Sequence, residues 1–262
     1  MSGKPTVVTV NLFTGYTTGH RQVAVSDEVN ETLLSGELTA LLGPNGCGKS
    51  TLLKTLSGFI PPLKGSIKID GRDISSFKGN ELSKVIGVVL TERVSMSNMN
   101  VRDLVALGRS PYTGFWGRLS ASDRKIVDEA IKMTGIENLA SRNVATLSDG
   151  ERQKAMISKA LAQETQIIFL DEPSAFLDYP SKVELMQLLK ELARNENKTI
   201  FLSTHDLDVA IQISDRLWLM DKKLGIKTGT PDQLSENNDI GKYFNRNGLR
   251  YDNKEKRFIF LS

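Results

Sequence analysis

Gly43-Pro44-Asn45-Gly46-Cys47-Gly48-Lys49-Ser50 sets three glycines, a lysine and a hydroxyl in the spacing G-x-x-x-x-G-K-[ST], a combination whose chemistry suits a polyphosphate. Glycines at 43, 46 and 48 permit a turn whose backbone N–H groups converge, and a helix running from about Thr51 to Ser57 adds its positive end. Lys49 is the point charge expected on the β and γ phosphates, and Ser50 the hydroxyl expected on a bridging Mg²⁺. Asp171 and Glu172 directly follow the apolar run Ile167-Ile168-Phe169-Leu170. Asp171, at the end of a buried strand, is the expected magnesium-side carboxylate. Glu172, one residue on, can act as general base on an attacking water. The bland alternatives are a glycine-rich turn and a solvated acidic turn. The apolar strand ahead of each motif favours phosphate chemistry.

Elements able to hold such a site in place are legible along the chain. β-branched runs at Thr6 to Phe13, Leu38 to Leu42 and Ser66 to Ile69 predict a strand-rich opening. Between about Glu92 and Gln163 the apolar period lengthens to that of helices, at Val101 to Leu107, Ile126 to Met133 and Ala155 to Leu161. Ser120-Ala121-Ser122-Asp123 has a capping-box pattern that predicts a helix from about Ser122 to Thr134. A strand at Ile167 to Leu170, a helix at Ser181 to Asn195, a strand at Thr199 to Ser203, a helix at Leu207 to Ile213 and a strand at Arg216 to Met220 then alternate. That alternation predicts an α/β fold with a mostly parallel sheet flanked by helices. The polar tail from about Asp232 to Ser262, ending in Phe258-Ile259-Phe260-Leu261, is expected to form a small hairpin on the core.

Composition narrows the classes further. With 39% apolar and 25% charged residues among 262, the chain has globular rather than disordered usage. Its 34 basic and 31 acidic residues leave a net charge of only +3, so no nucleic-acid partner is expected. No apolar run approaches the roughly 18–20 residues of a membrane span, and the opening Met1-Ser2-Gly3-Lys4-Pro5 leads into no secretory core. A cytosolic setting is expected. Cys47 is the sole cysteine, and His20 and His205 are the two histidines, too few for a disulfide or a cysteine- or histidine-rich metal cage.

Between the two phosphate elements lies Leu147-Ser148-Asp149-Gly150-Glu151-Arg152-Gln153, which resembles the LSGGQ signature of ATP-binding-cassette (ABC) ATPases. Glu172-Pro173-Ser174-Ala175-Phe176-Leu177-Asp178 is similar to the glutamate and D-loop of that family, and Ser203-Thr204-His205-Asp206 to its switch histidine. Order and spacing agree from about Thr6 to Gln233. The resemblance implies a P-loop NTPase core with an N-terminal antiparallel β subdomain and an inserted α-helical subdomain, binding ATP and Mg²⁺. It places the catalytic core at about 1–91 and 164–234, the helical subdomain at 92–163 and a C-terminal extension at 235–262, within one ABC ATPase domain spanning 1–262. It also implies a head-to-tail homodimer in which Ser148 and the Gly150 amide close over the γ-phosphate bound by the other chain. Tyr16 would stack on adenine, His205 would hydrogen-bond the γ-phosphate or the attacking water, and Asp178 would communicate across the interface.

Two positions depart from the family pattern. Asp149 puts an anion where the signature usually has glycine, and Glu151 stands where it often has glutamine. Counting back from Met99-Asn100-Val101-Arg102-Asp103-Leu104, the Q-loop glutamine position holds Thr91, followed by Glu92. Either of these can offer oxygen to the metal or its water. Val101 to Gly114 is similar to the segment found in importer ATPases for iron-siderophore, haem and cobalamin uptake. That similarity implies paired integral membrane permease subunits, an indirect substrate-binding protein and a peripheral place on the inner face of the cell membrane. In those systems Tyr112, Phe115 and Trp116 would meet the permease, or else fill the insertion's own core. The competing readings are a soluble cassette ATPase of a cytosolic assembly, such as an Fe–S scaffold or nucleic-acid machine, and a slow nucleotide-binding regulator.

Overall fold

The computed structural model describes residues 3–18, 21–90, 98–114, 117–246 and 248–260. Thr91, Glu92, Phe115, Trp116 and His20 lie outside the described residues. The chain opens with β1 (Pro5–Thr18), β2 (Arg21–Val29), β3 (Thr32–Leu34), β4 (Leu38–Leu42) and α1 (Lys49–Leu56). β5 (Lys64–Ile69), β6 (Arg72–Asp73) and β7 (Ile86–Val89) follow. Then come α2 (Val101–Ala106), α3 (Ala121–Met133) and α4 (Asp149–Ala162). β8 (Ile167–Asp171), α5 (Tyr179–Asn195), β9 (Thr199–Thr204), α6 (Leu207–Ile213) and β10 (Arg216–Asp221) alternate. β11 (Gly225–Gly229), α7 (Pro231–Glu236), α8 (Asp239–Phe244), β12 (Leu249–Asp252) and β13 (Arg257–Phe260) complete it.

The central sheet runs β11-β10-β4-β9-β8-β7, parallel except for β11 at its edge. Because successive side chains in a strand point to opposite faces, the continuous apolar run of β8 serves two cores. Ile168 and Leu170 pack with the inserted helices, α5, α6 and the tail, while Ile167 and Phe169 pack with α1 and the N-terminal sheet. Phe169, Phe201 and Trp218 meet edge to face on that second side, with centroids 5.8 and 5.0 Å apart. The N-terminal sheet is antiparallel, ordered β2-β1-β5-β6 with β3 also on β1. The architecture is thus an α/β core with an antiparallel β subdomain and a helical insertion. No helix among the described residues is long and apolar enough to cross a membrane.

The predicted α3 is present with its capping box: the Asp123 amide donates to Ser120 Oγ at 3.1 Å, and the Ser120 amide to Asp123 at 2.9 Å. The tail differs from its expectation. The hairpin β12–β13 forms, but α7 and α8 precede it and insert Leu234, Ile240, Tyr243 and Phe244 into the main core. Thr230 caps α7 through Gln233, with Pro231 in the first turn, a start signal masked in the sequence by the surrounding asparagines and aspartates. β2, β3, β6, β7 and β11 also form without having been singled out as strands.

Candidate active site

The phosphate loop joins β4 to α1, and its shape needs its glycines. Gly48 sits at φ +116°, and a Cβ there would fall 1.9 Å from Val25 Cγ1; at Gly43 it would fall 2.4 Å from the Met220 carbonyl oxygen. The loop is therefore wedged between β2 and β10. Gly48 also begins α1 without any side-chain cap, and no acidic residue stands in the first turn. The orphan amides of α1 and its positive dipole end are thus uncommitted to side chains of that turn.

Lys49 is almost fully buried and folds into the loop, donating to the Gly43 carbonyl at 2.9 Å and standing 3.5 Å from Glu172 Oε1. Ser50 Oγ donates to Asp171 Oδ1 at 3.0 Å. On the other carboxylate oxygen of Glu172 sits His205 Nδ1 in a close hydrogen bond. With an ionised carboxylate as acceptor, the proton of that bond belongs to Nδ1, which fixes the ring's tautomer. Glu172 adopts φ +49°, a left-handed conformation that is costly for a residue with a Cβ and that turns the chain sharply off β8.

Tyr16, Asn45, Gly46, Gly48, Lys49, Ser50, Thr51 and Glu172 line one cleft of about 670 Å³. Tyr16 is about half exposed in that lining. Pro44, Asn45 and Cys47 line an adjoining basic pocket of about 490 Å³ with Lys222, Lys223, Lys242 and Arg246. Lys222, which the sequence did not single out, lines both. Burial pushes the Cys47 thiol up, away from its reactive thiolate. Ser203 was also not foreseen: its Oγ donates to Asp171 Oδ1 at 2.6 Å and accepts from the Glu172 amide at 3.0 Å.

Ser148, Gly150 and Asp178 are not among the residues lining the cleft. Ser148 caps its own helix α4: its hydroxyl accepts from the Glu151 amide at 3.3 Å, and its amide donates to Glu151 Oε2 at 2.8 Å. Glu151 is therefore a capping-box member, and the backbone bond from Ser148 holds its carboxyl below the ordinary range. Asp149 has Arg152 beside it at 3.5 Å. Gly150 faces Leu177 and Ser181, about where a Cβ would make ordinary contact. Asp178 caps α5 through the Ser181 amide at 3.0 Å, and the Ser181 hydroxyl and amide together hold its carboxyl low. Asp206, next to His205, accepts from Lys182 and Ser174, both at 2.6 Å. In the insertion, Tyr112 stacks on the buried Arg109 at 4.1 Å and donates to the Gln163 carbonyl, while about two-fifths of its surface stays exposed.

The family model described as "ABC transporter" matches residues 26–175. An uncharacterised ABC transporter ATP-binding protein of Methanocaldococcus jannaschii is 40% identical over 89% of this chain and 80% of its own length. The ferric enterobactin transport ATP-binding protein of Escherichia coli is 36% identical over 83% of this chain and 80% of its own. The dimeric structure of a bacterial ABC transporter cassette superposes with a TM-score of 0.73 at 28% identity, covering 86% of this chain and 98% of that one. On the matched family model and these relatives, the chain belongs to the ABC transporter family, as one of its ATP-hydrolysing ATP-binding subunits.

Proposed function

We propose that this chain is the motor of a membrane importer for an iron-siderophore, haem or cobalamin. Two copies close head to tail on ATP, drive paired permease subunits, and reset on hydrolysis. The observation that carries this reading is the convergence of Lys49 and His205 on the Glu172 carboxylate, where Lys49, Ser50 and Glu172 line one cleft and Asp171 stands behind Ser50. Glu172 takes the proton of the attacking water as the water's oxygen bonds to the γ-phosphorus and ADP departs. Lys49 holds the β and γ phosphates, and the loop from Gly43 to Thr51 supplies the amides around them. His205 holds Glu172 through Nδ1–H; its Nε2 accepts from the attacking water in that tautomer and donates to the γ-phosphate only as the imidazolium. Tyr16 carries the adenine.

Mg²⁺ fits the donors present: Ser50 and Asp171 offer hard oxygens 3.0 Å apart at the mouth of the phosphate loop. When bound there it would neutralise charge on the β and γ phosphates. Thr91 and Glu92 remain the alternatives for the Q-loop oxygen. Ser148 and Gly150 serve the nucleotide of the opposite copy, with Asp178 at the contact between copies. We assign 1–91 and 164–234 to the catalytic core, 92–163 to the permease-coupled insertion and 235–262 to an extension. The chain sits on the cytoplasmic face of the membrane, reaching cargo only indirectly through the permease and a binding protein. The enterobactin relative supports the siderophore assignment.

Two measurements test this. Glu172→Gln is expected to bind ATP yet lose about 10²–10⁴-fold in turnover, the range of a positioned base; hydrolysis at the parent rate would remove Glu172 from that role. Tagged chain solubilised from native membranes is expected to bring down a polytopic partner in stoichiometric amount. Recovery from the soluble fraction alone, with ATP retained, would favour a cytosolic machine.

A further inference from the structure

We propose that Ser203 is the positioning residue that aligns the two site carboxylates, setting Asp171 for the cation and Glu172 for the water. This rests on the roles given to those two acids above. Ser203 is on β9, fully buried, and is the register partner of Asp171 in the parallel β8–β9 ladder. Its hydroxyl has one proton and its lone pairs, and both kinds of group are used on adjacent residues of the neighbouring strand. The proton goes to Asp171 Oδ1 at 2.6 Å, and a lone pair receives the Glu172 amide at 3.0 Å. The same amide also lies 3.1 Å from the Ser203 carbonyl oxygen. Ser203 thus grips the residue whose φ of +49° swings its carboxylate off the strand toward Lys49 and His205.

The contrast with Ser50 sharpens the role. Ser50 also donates to Asp171 Oδ1, but it lines the nucleotide cleft and has a second use there. Ser203 does not line that cleft, so its effect must pass through the two acids. Charge-assisted bonds to a carboxylate are the stronger kind. Losing this one leaves Asp171 with one fewer donor, the Ser50 bond remaining, and leaves the strained turn at Glu172 with one fewer bond. Both changes weaken the response to Mg²⁺ without touching the amides and lysine that grip phosphate.

Ser203→Ala tests this beside Ser158→Ala, a control in α4 that removes another fully buried serine hydroxyl, one bonded to Thr134 and the Lys154 carbonyl. Binding of a fluorescent ATP analogue is titrated with Mg²⁺ and repeated in EDTA, alongside steady-state ATPase assays and thermal melts of each variant. For Ser203→Ala, binding in EDTA is expected to stay within about twofold of the parent, while half-saturating Mg²⁺ rises and kcat falls, each by about tenfold, as for the loss of a charge-assisted bond. Ser158→Ala is expected to melt earlier with neither change. A Ser203→Ala protein whose Mg²⁺ response and kcat match the parent overturns the proposal, as does an equal Mg²⁺ shift in Ser158→Ala. A parent chain lacking Mg²⁺-dependent turnover would instead fail the reading of the site itself, which the same titration registers separately.

Discussion

Two helix starts in this molecule face phosphate in the proposed cycle, and they are built in opposite ways. α1 begins at Gly48 with no side-chain cap and no acid in its first turn. α4 begins at Ser148 with a closed capping box and with Asp149 and Glu151 in its first turn. The first leaves its amides and dipole for an anion. The second satisfies two of its own orphan donors and lays two carboxylates over its positive end. One chain therefore carries a ready phosphate cradle and a signature helix that is already self-satisfied. Binding energy should reside in the first, and the second should act late, when a γ-phosphate from the opposite copy competes for Ser148.

Emptying the open start gives the largest expected effect. Lys49→Ala removes the buried cation that stands between Gly43, Pro44 and Glu172, and truncating one partner of such a charged contact costs about 2–5 kcal/mol. ATP affinity is expected to fall by at least about 30-fold, the lower end of that range, in a direct binding titration. Retention of parent affinity would mean that the amides alone hold the nucleotide, and the contrast between the two starts would lose its energetic meaning.

Blocking the capped start should instead spare binding. Ser148→Arg inserts a bulky cation and removes a cap worth about 0.5–2 kcal/mol. Nucleotide affinity of the single chain is expected to stay within about twofold, since one capped helix start is all that is lost and Ser148 does not line the cleft. ATPase activity is expected to drop about tenfold or more, the loss associated with removing one oriented donor at a reacting phosphate. Parent turnover would show that α4 takes no part in closure.

Much of the open start was legible in the sequence, because its chemistry is local: glycines, lysine and hydroxyl stand within eight consecutive positions. The strand ends carrying Asp171 and His205 were legible for the same reason. The capped start was half legible. Ser148-Asp149-Gly150-Glu151 is also a Ser-x-x-Glu capping box, so the one stretch carries both a family signature and a local helix start in which Glu151 is the capping acid. Ser203 could not be found from spacing, since its partners lie 31 and 32 positions away and meet it only through the register of two parallel strands. The tail's helices were hidden by polarity. α8 is six residues long and opens at Asn238 with φ +56°, so it has too few turns to show a helical period.

The smallest expected effect isolates the charge on the capped start. Glutamine can also close a capping box, so Glu151→Gln removes the anion while leaving the hydrogen-bond pattern to α4 available. The Glu151 carboxyl is held below its ordinary range, chiefly by the Ser148 amide. A depressed value in the folded chain means that its stabilisation is present above the unfolded value of about 4.3 and is lost as pH falls through the folded one. At pH 7 the variant is expected to be less stable by about 0.3–1 kcal/mol, toward the low end because the side chain is partly solvated and screened by salt. Denaturant unfolding of both proteins from pH 7 to about pH 3 should show the gap closing as the pH falls below the unfolded carboxyl value of about 4.3 and on through the lower folded one. The opposite trend would mean that Glu151 is not serving the helix as a carboxylate. The same substitution also removes one of the two anions at the helix start from the path of an incoming γ-phosphate, so ATP-driven dimerisation measured by light scattering should strengthen by a few-fold at most, the scale of a single dipole-end charge. A weaker dimer would show that α4 needs its acidic cap to present Ser148, and would reverse the order in which the two helix starts are satisfied.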